Sequence, residues 1–334
     1  LLRENRPLII LTEIVGFLHD LGKLDNECFR KHNERIRTEF QIENTYKPVI
    51  PKDNIPKIIF TLFRSAKLKE VLQGVAADKM LKFLCEGQDE PEIFSPIFWH
   101  HFDRPQFNPR NNFEKLIANA DSQDSNEDRG AQEEKSPEKF FIATPFGFEE
   151  LLDDKIKDKL HEFCLKDRTE CRLRFYQEFA EILSKITYEK NGEIKFKDDG
   201  NLWREFRNEF YEIVEKYFPL SLAETRRPSN DINLFDHCYM TGSISKVGIV
   251  GFILSEKLRE EFKETISQGR EYKFNFKLLV VGFDGYSSLT KVNRLPDFVG
   301  RSEKLNEVRR KIKEIVEFEL PIGNLIYEDL GIMC

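Results

Sequence analysis

His19 and Asp20 stand side by side where an apolar run ends. A neutral imidazole and an ionised carboxylate both ligate first-row divalent metals, and a carboxylate has two oxygens with which to bridge a pair of ions. Gly22 lets the chain turn sharply, and Lys23 adds a cation beside the pair, where it would meet a phosphate. One or two ions held there would lower the pKa of a water towards neutrality and polarise a phosphoryl oxygen. Hydroxide would then attack phosphorus in line, with Lys23 neutralising the developing charge. His19, Asp20 and Lys23 are the expected catalytic residues. The plainer account of a His-Asp dipeptide is a helix end with a surface pair.

The elements that must position these groups are readable in outline. Ile9, Ile10, Leu11, Ile14, Val15, Phe17 and Leu18 predict one buried helix over residues 8–24, closing on His19 and Asp20. His100 and His101 sit in the apolar context FWHHFD, and residues 113–121 predict a helix ending in Asp121. These three would finish the metal shell. Alternatively, the two histidines mark a helix end with one in the core and one outside, and Asp121 is an ordinary helix-end acid. His32 is expected on a polar helix surface and His161 not to ligate. Mixed imidazole and carboxylate donors favour Mn, Ni, Co or Fe over Mg, which prefers all-oxygen shells.

Between these points the chain alternates ordered and polar stretches. Residues 25–75 read as mixed, with Pro48, Pro51 and Pro56 marking an irregular connection, and 57–86 as helical with one glycine break. From Ser122 to Lys139 no apolar residue larger than alanine occurs, which predicts a solvated loop. Residues 140–147 predict a strand and turn, and 149–188 amphipathic helix. Asn191-Gly192 between β-prone runs predicts a hairpin, and Trp203 to Phe218 a helix closed by Pro219. Residues 231–254 read as helix, 272–284 as a central strand, 301–319 as helix and 323–328 as a further strand. That order predicts an α/β or ferredoxin-like half. The expected fold class is mainly α with an α/β part, organised as 1–121, 122–148, 149–230 and 231–334. A sheet of this kind would need more chain than the six residues after Glu328, so a longer protein is expected.

With 334 residues, 33% charged, 40% hydrophobic and a net charge of −7, the chain is expected to fold into about two domains and to be cytoplasmic. Its apolar runs are shorter than the roughly 20 residues of a membrane span, and no signal peptide is visible. The six cysteines form no CxxC pair, which favours reduced thiols and argues against a zinc ribbon. The acidic balance argues against gripping nucleic acid over a wide surface, though not against a nuclease with a local basic channel.

The apolar helix followed by HDLGK resembles the signature of the HD superfamily of metal-dependent phosphohydrolases and nucleases, and the order His-Asp, His-His, Asp is similar to that superfamily's. Two further stretches carry the likeness: TRRPSNDINLFDH (225–237) and LLVVGFDGYSSLTKVNRLPDFVGRSEKL (278–305). With the HD motif they resemble the large subunit of type III CRISPR effector complexes, in an outlying branch. The resemblance implies an HD nuclease domain followed by an incomplete palm of the nucleotide-cyclase and polymerase type. It implies cleavage of single-stranded DNA when target RNA is bound. The implied partners are other effector subunits, guide RNA, target RNA and single-stranded DNA, with no membrane. ATP at the palm would belong to the full chain. The HD domain of that family is circularly permuted, so the helix of 234–241 would pack back on the bundle and present His237 to the metal. Otherwise Asp236-His237 caps a helix or bridges domains. Gly282-Phe283-Asp284 and Val299-Gly300-Arg301-Ser302 depart from the family's pattern, and Gly-Gly-Asp-Asp is absent. Asp284, Gly300 and Ser302 are the corresponding nucleotide-binding candidates, Gly300 and Ser302 at a helix start where a phosphate can bind. A plain helix N-capped by Ser302 accounts for the same residues. Two other functions fit the residues: a free-standing HD hydrolase of nucleotides, and a degenerate HD and palm scaffold without metal.

Overall fold

Pro7, whose fixed φ suits a first helical turn, opens the helix α1 (Arg6–Leu18), in which every residue from Pro7 to Leu18 is buried. The helix stops at Leu18, and Leu21–Leu24 form a separate 3-10 turn, so the continuous helix expected to residue 24 is broken at the His-Asp pair. The computed structural model describes residues 1–24, 66–72, 77–86, 91–102, 108–129, 141–143, 149–151, 173–191, 193–220, 223, 232–329 and 331–334. The expectations for His32, His161 and the proline-rich connection at 48–56 lie outside these residues.

Further along come α2 (Ala77–Leu84), a 3-10 turn at Ser95–Ile97 and α3 (Asn112–Arg129). A two-stranded antiparallel pair follows, β1 (Phe141–Ala143) with β2 (Glu149–Leu151). Helix α4 covers residues 173–186. The hairpin of β3 (Thr187–Lys190) and β4 (Glu193–Phe196) turns at Asn191, whose φ of 55° is the left-handed value such turns require. Asp199 then caps α5 (Gly200–Tyr217) by accepting from the amides of Asn201 and Leu202. Asn233 likewise caps α6 (Leu234–Leu254), and α7 (Glu256–Ser267) follows. The last part holds β5 (Val281–Gly282), α8 (Gly285–Thr290), α9 (Leu295–Glu314) continuing into a π turn at Ile315–Glu319, and β6 (Ile332–Met333), antiparallel to β5.

The described chain is therefore mainly helical with a few short strands. Three further expectations are corrected. Residues 122–129 continue α3 instead of starting a loop, because Gln123 and Asp124 are buried with polar partners. Residues 149–151 are strand, so helix does not run from 149 to 188. The strands expected over 272–284 and 323–328 shrink to β5, β6 and a bridge from Glu328 to Met333. Strands exist through pairing, and Leu278, Leu279 and Val280 are more than half exposed with no neighbouring strand among the described residues.

Among the described residues, helix α6 packs on both α1 and α3. Glycine permits the approach: a Cβ on Gly242 would lie 2.8 Å from the Glu13 carbonyl oxygen, and one on Gly16 2.7 Å from Ser245 Oγ. Phe17 meets Phe210, Phe218 and Phe235 edge to face, which joins α1, α5 and α6 in one core. Gly242→Ala is expected to force α1 and α6 apart at a cost of about 1–3 kcal/mol, read from the urea midpoint. An unchanged midpoint would mean that the contact spreads freely. No single described helix is long and apolar enough to cross a membrane.

Candidate metal centre

The end of α1 delivers His19 and Asp20, the chain just after the Ser95–Ile97 turn delivers His100 and His101, α3 delivers Asp121, and the first turn of α6 delivers His237. These residues, spread over more than 200 positions of sequence, form two adjoining donor groups. His19, Asp20 and His237 make one; His100, His101 and Asp121 make the other. In each group the candidate ligand atoms all lie within 4.8 Å of one another. The His19 ring centroid is 5.2 Å from that of His100 and 5.1 Å from that of His237.

Distances between donors match a coordination shell better than a hydrogen-bonded cluster. His19 Nε2 is 3.4 Å from Asp20 Oδ2 and 3.5 Å from Asp121 Oδ1. His237 Nε2 is 3.4 Å from the same two oxygens. Two donors each about 2.1 Å from a shared tetrahedral ion lie about 3.4 Å apart. The ring orientations agree with this. His19 Nδ1 donates to the Gly16 carbonyl at 2.8 Å and His100 Nδ1 to the Pro96 carbonyl at 2.8 Å. A carbonyl only accepts, so in the neutral rings Nε2 carries the lone pair. Among the described residues, neither of these buried Nε2 atoms has a hydrogen-bond partner. Buried polar atoms left unsatisfied are costly, and an ion at the convergence point would satisfy them.

Electrostatics favour a cation here as well. Burial by itself raises the pKa of Asp20, but Lys23 and His19 outweigh it and hold the carboxyl well below its ordinary value. Asp121 is held low against burial chiefly by His19. Burial lowers the His19 pKa, yet Asp20 and Asp121 reverse this and bring it up to about 9. His237 is raised against burial by its contacts with the carboxylates of Asp121, Asp124 and Asp20. His100 moves the other way: burial and then the charge on His19 lower it, leaving a neutral ring. The carboxylates thus draw protons onto His19 and His237, in the place where a divalent ion would supply the charge. Buried imidazole and carboxylate donors fit a first-row divalent metal.

Lys23 is engaged from the outset, with Nζ 2.5 Å from Asp20 Oδ2 and donating to the Ala223 carbonyl at 2.6 Å. It fixes Asp20 directly. Of the three nucleotide-binding candidates, Gly300 and Ser302 do not stand at a helix start as expected. Helix α9 starts at Leu295, with Pro296 in its first turn, so Gly300 and Ser302 lie inside the helix and Ser302 is not its N-cap. A Cβ on Gly300 would meet open space, so nothing there demands glycine. Asp284 is spent on capping α8, accepting from the Ser287 amide at 3.0 Å. Sequence reasoning missed Asp124, which accepts from His237 Nδ1 at 2.6 Å. Its signal was the spacing Asp121-x-x-Asp124, which puts two carboxylates on one helix face.

In comparisons with known proteins, no family model and no curated protein matches the chain.

Proposed function

We propose that this chain is the nuclease-bearing part of the large subunit of a type III CRISPR effector complex, its His/Asp centre hydrolysing single-stranded DNA. The observation that carries the reading is the donor set itself. His19 and Asp20, His100 and His101, and Asp121 converge in the HD superfamily's order, and His237 joins them from a helix that follows the others in sequence. A downstream histidine helix folded back on the bundle is what the family's permuted HD domain implies, and a simple HD hydrolase has no need of it. A palm is proposed for the last hundred residues from the sequence likeness, supported by one short antiparallel pair beside two helices. Effector subunits, guide RNA, target RNA and single-stranded DNA are the proposed partners. ATP is not proposed at Asp284, Gly300 and Ser302 of this chain.

A divalent ion in the centre would acidify a water and polarise a phosphoryl oxygen. The protein's own residues have simpler tasks. Asp20 is locked by Lys23, and the rings of His19 and His100 are locked through Nδ1 by backbone carbonyls. These three donors are therefore held in orientation before any ligand arrives, which is how a site avoids reorganisation at the moment of reaction.

The test is cleavage of end-labelled single-stranded DNA with Mn²⁺, Ni²⁺ or Mg²⁺, wild type against His19→Ala/Asp20→Ala. Metal catalysis contributes several kcal/mol, so the double variant is expected to lose roughly a thousandfold in rate. Wild-type protein that turns over nucleotides but leaves DNA intact would point to the free-standing phosphohydrolase. Wild-type protein that neither binds metal nor cleaves would leave the scaffold.

A further inference from the structure

We infer that Asp124 is a positioning residue of the metal centre, orienting His237 so that its Nε2 faces Asp20 and Asp121. The inference rests on the metal-centre reading and adds to it a residue that contacts no candidate ion.

His237 differs from His19 and His100 in what holds its far nitrogen. Those two rings are fixed by carbonyls of their own local chain, at Gly16 and Pro96. His237 sits in the first turn of α6, where no carbonyl of its own element reaches Nδ1. The partner comes instead from α3: Asp124 Oδ2, 2.6 Å away, with both side chains buried. An ionised carboxylate accepts and does not donate, so Nδ1 carries the hydrogen and Nε2 is left to the site. A carboxylate behind a ligating imidazole also raises its basicity as a donor.

The same helix supplies both the candidate ligand Asp121 and the orienting Asp124, one turn apart. Docking of α6 on α3 therefore sets the position of His237 relative to Asp121 in one step. This accounts for a helix that stays ordered through DSQD, where composition alone predicts a loop.

The experiment measures Mn²⁺ binding by calorimetry, and counts coordinated imidazoles by nitrogen hyperfine couplings of the bound Mn²⁺, in wild type, Asp124→Ala, Asp124→Asn, His237→Ala and Asp124→Ala/His237→Ala. Asp124→Ala is expected to weaken binding about 10- to 100-fold and to remove one imidazole from the shell. The isosteric Asp124→Asn, which can accept from Nδ1 but carries no charge, is expected to fall between wild type and alanine. It also keeps the question answerable if Asp124→Ala does not fold. The double variant should bind no more weakly than His237→Ala alone, because Asp124 acts only through that ring. Wild-type binding and an intact imidazole count in the folded Asp124 variants would overturn the positioning role and leave the metal centre standing. Additive losses in the double variant would overturn it too. A wild-type protein that binds no Mn²⁺ would bring down the metal centre and this role with it.

Discussion

Arg207→Ala is expected to destabilise the fold by about 3–5 kcal/mol, the scale for stripping one partner from a buried ion pair. Arg207 is buried between two carboxylates. Its guanidinium donates to both Glu13 oxygens, with contacts of 2.7–3.1 Å, and to Glu317 at 2.8 Å. Lys246 Nζ is 3.0 Å from Glu13 Oε2 and donates to the Glu317 carbonyl, and the Tyr211 hydroxyl donates to Glu13 at 2.6 Å. Two anions and two cations from α1, α5, α6 and the π turn thus neutralise one another inside the core. Removing Arg207 leaves two buried carboxylates facing one ammonium. Lysine would not replace it, since an ammonium lacks the planar fork that engages both Glu13 oxygens while reaching Glu317.

The network also has a pH signature. Burial raises the Glu13 pKa, but Arg207 and then Lys246 prevail and bring it to about 2 from 4.5. A depressed carboxyl contributes stability that is present above pH 4.5 and lost as pH falls from 4.5 towards 2. Lys246 acts oppositely: burial brings its pKa down to about 8 from 10.5, so its charge costs stability below pH 8, and the cost fades between 8 and 10.5. Denaturant titrations in wild type should show the acid loss, and Arg207→Ala should shrink or abolish it, because without the guanidinium, burial drives the folded-state pKa of Glu13 back up. A variant as stable as wild type, with the same acid limb, would show that the network contributes little.

Saturation with Mn²⁺ is expected to stabilise the chelator-treated protein by about 2.7 kcal/mol at a hundredfold excess over Kd. The effect is large because the candidate ligands come from elements far apart in sequence, so an unfolded chain offers no equivalent site. Helices α1, α3 and α6 all contribute. In His237→Ala most of this gain should vanish, since α6 no longer supplies a donor. Thermal unfolding across a metal series reads both. A Tm insensitive to metal in wild type would argue that no ion binds the folded state, and unchanged metal content and activity in His237→Ala would remove that residue from the shell.

The local part of the site was legible in the residues themselves. The apolar face of α1 ends at an adjacent His-Asp pair because burial and the motif coincide there, and the hairpin at Asn191 follows from turn chemistry. Residues 203–218 and 231–254 also read as helix, though caps at Asp199 and Asn233 fixed where the helices start. Residues 272–284 read as a strand because alternation and apolar runs are local properties, while strand pairing is not. Residues 122–129 read as solvated because their polarity is visible in sequence and their partners are not.

The sequence by itself therefore determined which side chains were available to a metal, and it marked several helices and the turn at Asn191. Tertiary structure decided which of them meet. His237 joins His19, Asp20 and Asp121 only because Gly16 and Gly242 let α6 lie close against α1, and Asp124 acquires its role only from the neighbouring helix. Gly300 and Ser302, suited to a helix start by type, fall inside a helix whose beginning was set at Leu295 by Pro296. The physical reason is the same throughout. Propensity and amphipathicity act over a few residues, whereas donor geometry and burial of charge depend on groups more than a hundred positions apart, which the packing of helices alone brings within a few ångströms.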